Sequence, residues 1–402
     1  MSALAKNYNR KKIAFKKGKG SFLYATNGKK YLDFCMGIAV CSLGHANPYL
    51  IKAINKQSKK LWHVSNAFQI PEGEKLAKKL TQKTFADSII FQNSGVEATE
   101  AAIKVAKRYF YSIGQPKKNR ILCIKNSFHG RTLATIFASG SKKMTEGFYP
   151  KVDGFDHFNF GNHKELEKKI TSKTAAIMVE TIMGEGGIKV IPDFCLRGLR
   201  KICNRKKILL ILDEVQCGIG RTGKFFAFEH AKIKPDIVPI AKGIGGGFQL
   251  GACLMTKKVA LGMKPGSHGT TFGGNPVSCA AAIAAFDVIK DEDLINKSKE
   301  LGAYLNERLF SAQVEFPDAI SEIRGIGLWY AFDIKPKKMT MPLVKEMQSR
   351  GVIVGSMLNS EGTIRVAPPL TIRPAEIDAF IGVLKASLRS IKREYRENND
   401  NK

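Results

Sequence analysis

The chain has 402 residues, enough to bury a large core, and this length predicts two or three domains, or one large domain with a smaller partner. At 44% hydrophobic and 25% charged residues its composition is that of an ordinary globular protein, and no apolar stretch approaches the roughly 18 residues of a membrane span, so a soluble protein is expected. The net charge of +30 is spread over lysine pairs such as Lys11-Lys12, Lys59-Lys60 and Lys206-Lys207, with no zinc-finger, RNP-like or heptad signature to focus it, so a solvated lysine-rich surface is expected rather than a nucleic-acid site.

The first 30 residues hold lysines but neither the apolar core of a signal peptide nor an arginine-rich, serine-rich presequence. Eight scattered cysteines form no CxxC pair and no Cys/His cluster at zinc spacing, which points to a reducing cytosol and to no metal. His45, His63, His157, His163, His230 and His268 read as ordinary satisfied or exposed histidines.

From residue 88 short apolar runs alternate with helical patterns, the signature of a parallel sheet covered on both faces. Strands are expected at Ser88–Phe91, Arg120–Ile124, Ala175–Glu180, Ile208–Asp213, Asp236–Ala241 and Gly251–Met255, with helices at Glu97–Phe110 and Leu196–Asn204. After about residue 295 a helix at Asn296–Leu309, strands at Arg324–Asp333 and Gly351–Val354, and a last helix from about Pro374 to Arg396 read as a smaller α+β unit. A polar tail, Glu397 to Lys402, is expected to fray.

Several fragments carry chemistry. ILLILDEVQCGIGRTG places Asp213 and Glu214 at the end of an apolar run, where an isolated carboxylate is costly unless a cation meets it. DIVPIAKGIGGGF ends a second such run in Lys242, whose amine would be tied up in a Schiff base. Both puzzles are answered by a pyridoxal phosphate held covalently by Lys242, with its protonated pyridine nitrogen paired to Asp213. In IIFQNSGVEATEAAIKVAKRYF the junction Asn93-Ser94-Gly95 aims the first amides of a helix at one spot, an anion cradle, although such turns also serve simply as caps. NSFHGRTLATIF sets Phe128, a stacking face, beside His129 and Arg131, whose fork suits a carboxylate. GSHGTTFGGNP offers the hydroxyls of Thr270 and Thr271 for another phosphate contact.

Taken in order, NSGVEA, SFHGRT, GEGG, LDEVQCGIGRTG, AKGIGGG and HGTTFGGNP resemble the class III (subgroup II) pyridoxal-phosphate aminotransferases from about Tyr8 to Ile391. Within that class, GIAVCSLGHANP, LWHVSN and PGSHGTTFGGNP look most like the bacterial acetylornithine aminotransferases. The resemblance implies an α/β chain of fold type I, aspartate aminotransferase-like. A large cofactor-binding domain at 61–295 would have a mostly parallel sheet between helices, and a smaller α+β domain would combine an N-terminal segment, 1–60, with the C-terminal 296–402. It also implies pyridoxal 5'-phosphate as cofactor, a homodimer with active sites at the subunit interface, and the cytoplasm of a bacterium, with no room for a transit peptide.

Carried over by residue, the resemblance makes Lys242 the cofactor lysine and the proton carrier, with Asp213 on the pyridine nitrogen, Val215 on the ring and Gln216 at the phenolic oxygen. Gly95 and Val96 give amides to the phosphate, Phe128 stacks on the open face, and Ser94, His129 and Glu214 join the cofactor set. Arg131 takes the substrate α-carboxylate, Thr271 reaches the neighbouring subunit's phosphate, Thr270 lies near substrate, and Glu185 with Arg365 forms a gate for two substrates. Thr181 stands where the family has proline, Met183 where it has glutamine, and Val366 where phenylalanine is common; these departures lie where substrate preference is set. The implied reaction moves the δ-amino group of N-acetylornithine to 2-oxoglutarate, giving the semialdehyde and glutamate, with succinyl-diaminopimelate as a further donor. Ornithine or 4-aminobutyrate is the alternative, disfavoured because relatives using them usually carry tryptophan at the position of His129 or tyrosine at that of Phe128. A basic nucleic-acid-binding protein without catalysis is the remote alternative, against which the joint retention of Lys242, Asp213 and Arg131 speaks.

Overall fold

The computed structural model describes residues 3–400, with side chains as far as Arg393. Its centre is a seven-stranded sheet in the order Ser88–Gln92, Gly251–Met255, Ile237–Ile240, Leu209–Asp213, Thr174–Glu180, Arg120–Ile124, Phe155–Phe158. The last five strands in this order run parallel, whereas Gly251–Met255 is antiparallel to both of its neighbours. Every residue of Thr174–Glu180, Leu209–Asp213 and Ile237–Ile240 is buried, as befits strands covered on both faces. The expected strands are all present to within a residue, and one was missed. Phe155–Phe158 reads FDHF, and its two polar residues hide an edge strand that pairs with Arg120–Ile124.

The helix Gly95–Ser112 starts where a capping box dictates. Ser94 Oγ accepts from Glu97 N at 3.4 Å, and the Glu97 carboxylate reaches back to Asn93 N at 2.7 Å. Its buried face carries Ala98, Ala101, Ala102, Val105 and Ala106, small side chains that let the helix lie close on the sheet.

Two four-stranded sheets lie outside the central one. Phe15–Lys19, Phe22–Ala25 and Lys30–Asp33 form a meander that Val352–Ile353 joins in parallel, so residues from both ends of the chain share one sheet. The other has the order Ile320–Ile326, Trp329–Ile334, Thr363–Val366, Gly355–Ser356, all antiparallel. Here one expectation is corrected. The run Arg324–Asp333 is a hairpin rather than a strand, because Gly327, at φ of 60°, turns the chain between Ile326 and its partner Trp329 in the middle of an unbroken apolar run. The strand expected at Gly351–Val354 is present as Val352–Ile353, paired with Lys30–Asp33, and the next two residues of strand, Gly355–Ser356, join the other sheet. The helix expected at Asn296–Leu309 runs from Leu294 to Glu315, and the last helix extends from Pro374 to Asp400, past Arg396. Of the expected tail, Asn401 and Lys402 lie outside the described residues.

Gly302, buried on the helix Leu294–Glu315, touches the backbone of the hairpin turn so closely that a Cβ would collide with the Gly327 carbonyl. Gly302→Ala should therefore cost about 1–3 kcal/mol. Gly198, exposed inside the helix Asp193–Lys206 with open space where a Cβ would point, provides the opposite sign: Gly198→Ala should gain about 0.5–1 kcal/mol. Urea unfolding of both variants checks the pair, and a stabilised Gly302→Ala would contradict this packing.

Candidate active site

The parallel strands end together at a cavity of about 450 Å³, lined by ten of the residues singled out in the sequence. Ser94, Gly95 and Val96 come from the start of the helix that follows Ser88–Gln92, and Phe128, His129 and Arg131 from the loop after Arg120–Ile124. Asp213, Val215 and Gln216 follow the strand Leu209–Asp213, and Lys242 follows Ile237–Ile240. This is the carboxyl edge of an open α/β sheet, where such folds bind ligands.

Asp213 is met by His129. His129 Nδ1 lies 2.8 Å from Asp213 Oδ2, while Asp213 Oδ1 accepts from Val215 N at 3.0 Å. Burial opposes the charged imidazole, but the hydrogen bond and charge of Asp213, with Glu180 beyond, outweigh it and raise the His129 pKa. This partner of His129 is not legible in the sequence, since the two residues are 84 positions apart.

Glu180 also lines the cavity and was missed, although it ends a buried strand just as Asp213 does. Its carboxylate accepts from Phe128 N at 2.8 Å and Gly184 N at 2.9 Å, fixing the loop that carries the aromatic. Burial pushes its pKa up to about 7, His129 pulling down and Asp213 pushing further up.

Lys242 sits at φ of 50° in the turn after its strand. Burial lowers its pKa to about 8, and the charge of Arg365 lowers it further against the pull of Glu185, Asp213 and Glu180. With its amide oxygen turned to the donors, Gln216 accepts from Lys242 Nζ at 3.2 Å and from Arg365 Nη1 at 3.3 Å. Arg365, 1% exposed on Thr363–Val366, pairs with Glu185 at 2.6 Å, so the two expected gate residues are brought together just beyond Gln216.

Arg131 differs from Arg365 in being exposed. It lies over the Phe128 ring at 5.7 Å and makes no ion pair among the described residues. Thr270 accepts from Gly273 N at 3.1 Å and Thr271 is exposed; neither lines the cavity of its own chain. Glu214 is turned away from the cavity. Fully buried, it accepts from Thr181 Oγ1 at 2.7 Å, Ala227 N at 2.9 Å and Phe228 N at 3.0 Å, and burial pushes its pKa up to about 7. It pins the loop after the strand, and Thr181 supplies a hydroxyl that proline would lack.

The cavity fits a flat anionic cofactor. The helix starting at Gly95 presents amides without intrahelical partners. Gly95 has to be glycine, because Val215 Cγ1 lies 2.6 Å from where its Cβ would stand. His129 Nε2 is a buried polar atom with no partner among the described residues. No group of His, Cys, Asp and Glu that could hold a metal occurs among the described residues.

The family model of aminotransferase class-III matches residues 3–388. The chain belongs to the class-III aminotransferases. It is 45% identical over 391 residues to the acetylornithine aminotransferase of Mesorhizobium japonicum, covering 97% of each chain. To that of Methanocaldococcus jannaschii it is 41% identical over 388 residues, covering 96% of each. Among solved structures, the ornithine aminotransferase of Toxoplasma gondii superposes with a TM-score of 0.93 at 30% identity, covering 98% of this chain and 94% of that one. The acetylornithine aminotransferase of Elizabethkingia anophelis gives 0.85 at 29% identity, covering 96% of each. The T. gondii enzyme crystallised with oxidized glutathione holds the cofactor pyridoxal phosphate at partial occupancy. Class-III aminotransferases depend on pyridoxal phosphate and have fold type I, and the mostly parallel central sheet agrees.

The lowered pKa of Lys242 makes stability depend on pH. Between about 8 and the ordinary 10.5 the folded protein binds fewer protons at this amine than the unfolded chain, so stability rises with pH through that window and the penalty is full below it. In the cofactor-free protein Lys242→Met should therefore be stabilising at neutral pH, by a margin that shrinks as the pH climbs from about 8 to 10.5. Urea unfolding at several pH values measures this, and a margin independent of pH would contradict it.

Proposed function

We propose that this class-III aminotransferase transfers the δ-amino group of N-acetylornithine to 2-oxoglutarate, giving the semialdehyde and glutamate. The observation that carries the reading is a pair of arginines in unlike settings: Arg131 exposed at the mouth of the lysine-bearing cavity, and Arg365 buried just behind the cavity-lining Gln216 and clamped by Glu185. Curated relatives named acetylornithine aminotransferase, at 40–46% identity over nearly the full length, support the donor.

Pyridoxal phosphate supplies the electron sink. Lys242 would hold it, the amides of Gly95 and Val96 would meet its phosphate, Phe128 and Val215 would flank its ring, and Asp213, oriented by His129, would pair with its pyridine nitrogen. A lysine amine whose pKa is about 8 is suited to take a proton from the carbon bearing the amino group. Arg131 grips the carboxylate of acetylornithine through its planar fork. While that donor is bound, the closed Glu185–Arg365 pair faces an uncharged methylene; with glutamate or 2-oxoglutarate, Glu185 gives way and Arg365 takes the α-carboxylate.

A homodimer in the cytoplasm completes the reading. Exposed Thr271 stands next to Phe272 (58% exposed), and nearby Phe68 and Trp62 are 68% and 70% exposed, an apolar surface of the kind that marks a subunit contact. All eight cysteines are unpaired, which agrees with a reducing compartment.

Steady-state rates with 2-oxoglutarate and four donors test the substrate: acetylornithine should exceed ornithine and 4-aminobutyrate, with succinyl-diaminopimelate next. Faster turnover of ornithine would overturn the reading. Arg131→Lys keeps the charge but loses the fork, so acetylornithine should bind about ten- to a hundredfold more weakly, while an unchanged donor KM would place the carboxylate elsewhere.

A further inference from the structure

The gate pair is clasped by a strap of chain that the sequence did not mark. Gly355–Ser356 pairs with Thr363–Val366, and the residues between them fold back over Glu185. Arg365 Nη2 donates to Ser356 O at 3.3 Å, Leu358 N donates to Glu185 Oε2 at 2.9 Å, and Asn359 N donates to Glu185 O at 3.1 Å. The strap is tethered in turn, for Asn359 Nδ2 donates to Asn126 O at 3.2 Å, two residues before Phe128.

The two oxygens of Glu185 therefore have different holders: Oε1 meets Arg365 Nη1 at 2.6 Å and Oε2 meets the Leu358 amide. Glu185 cannot leave Arg365 by rotating its side chain without also leaving that amide. Meanwhile Arg365 Nε is buried without a partner among the described residues, a donor still available to an arriving carboxylate.

We propose that the strap at residues 356–359, acting through the Leu358 N–H, is the latch that sets how readily the site turns from an amine donor with an uncharged reacting end to a substrate bearing an α-carboxylate. This rests on the two-substrate reading of the Glu185–Arg365 pair. Leu358 is a positioning residue, since its amide touches the gate and not the substrate. Releasing the amide weakens the closed pair without altering Arg365, so dicarboxylates should bind more tightly and acetylornithine should react more slowly.

The probe is glutarate, which has both carboxylates of 2-oxoglutarate and no keto or amino group to react, titrated calorimetrically into the holoenzyme. Leu358→Pro deletes the N–H and should tighten glutarate about tenfold, the scale of one hydrogen bond to a charged group. Asn359→Ala cuts the tether to Asn126 but keeps the Leu358 amide; it should move glutarate affinity in the same direction by less, and it serves if the proline variant does not fold. In a Glu185→Ala background the effect of either variant should vanish, a result that general loosening of the fold would not give. Unchanged glutarate affinity in both variants, or an effect that persists without Glu185, overturns the latch. A wild-type enzyme that ignores acetylornithine would instead fell the donor assignment, which glutarate binding does not test.

Discussion

The site depends on ionisable groups set at the ends of buried strands that are almost wholly apolar. Glu180, Asp213 and Lys242 each follow a strand with no exposed residue, and each would be costly if left alone. Glu180 and Asp213 are register partners on adjacent strands, so two carboxylates stand side by side. His129 resolves the conflict by pairing with Asp213, and Glu180 is left to two backbone amides and a raised pKa. Lys242 donates to the Gln216 amide oxygen and has no ion pair among the described residues, and burial lowers its pKa. An amine in that state is a good candidate for a covalent partner that removes the need for a buried ammonium.

Close approach of the loops explains why the motifs are rich in glycine. A side chain at Gly130 would collide with Val96, one at Gly251 with the backbone of Ser94, and one at Gly95 with Val215. These contacts bring the helix start, the aromatic loop and the loop after Leu209–Asp213 against one another, so the first amides of the helix, Phe128 and the buried Asp213 share one small cavity.

What could be read from the sequence follows the same physics. Asp213 and Lys242 were legible because five apolar residues precede each, and a charge after such a run is conspicuous. Glu180 carries the same signal and went unread. Glu214 was placed with the cofactor, although successive side chains leave a strand on opposite sides and a neighbour of Asp213 points away. The His129–Asp213 pair was out of reach, because nothing local links loops after strands far apart in the chain. The hairpin at Arg324–Asp333 was hidden because GIGLW is apolar throughout, so its turn is made by glycine conformation and not by polarity.

The two arginines show how burial turns similar chemistry into different behaviour. Arg131 stands in water over Phe128 and can be without a counter-ion for part of the cycle at little cost, so no device is needed to cover it. Arg365 is 1% exposed, and an unpaired guanidinium there would be heavily penalised, so a carboxylate has to be present in every state. Glu185 fills that need here, and in the proposed reaction a substrate α-carboxylate would take its place. Because it is itself hydrogen-bonded on both oxygens, exchanging it for a substrate carboxylate trades one satisfied arrangement for another. The preference between substrates is then a small difference between two well-partnered states, which is why a single backbone amide at the edge of the site has enough leverage to shift it.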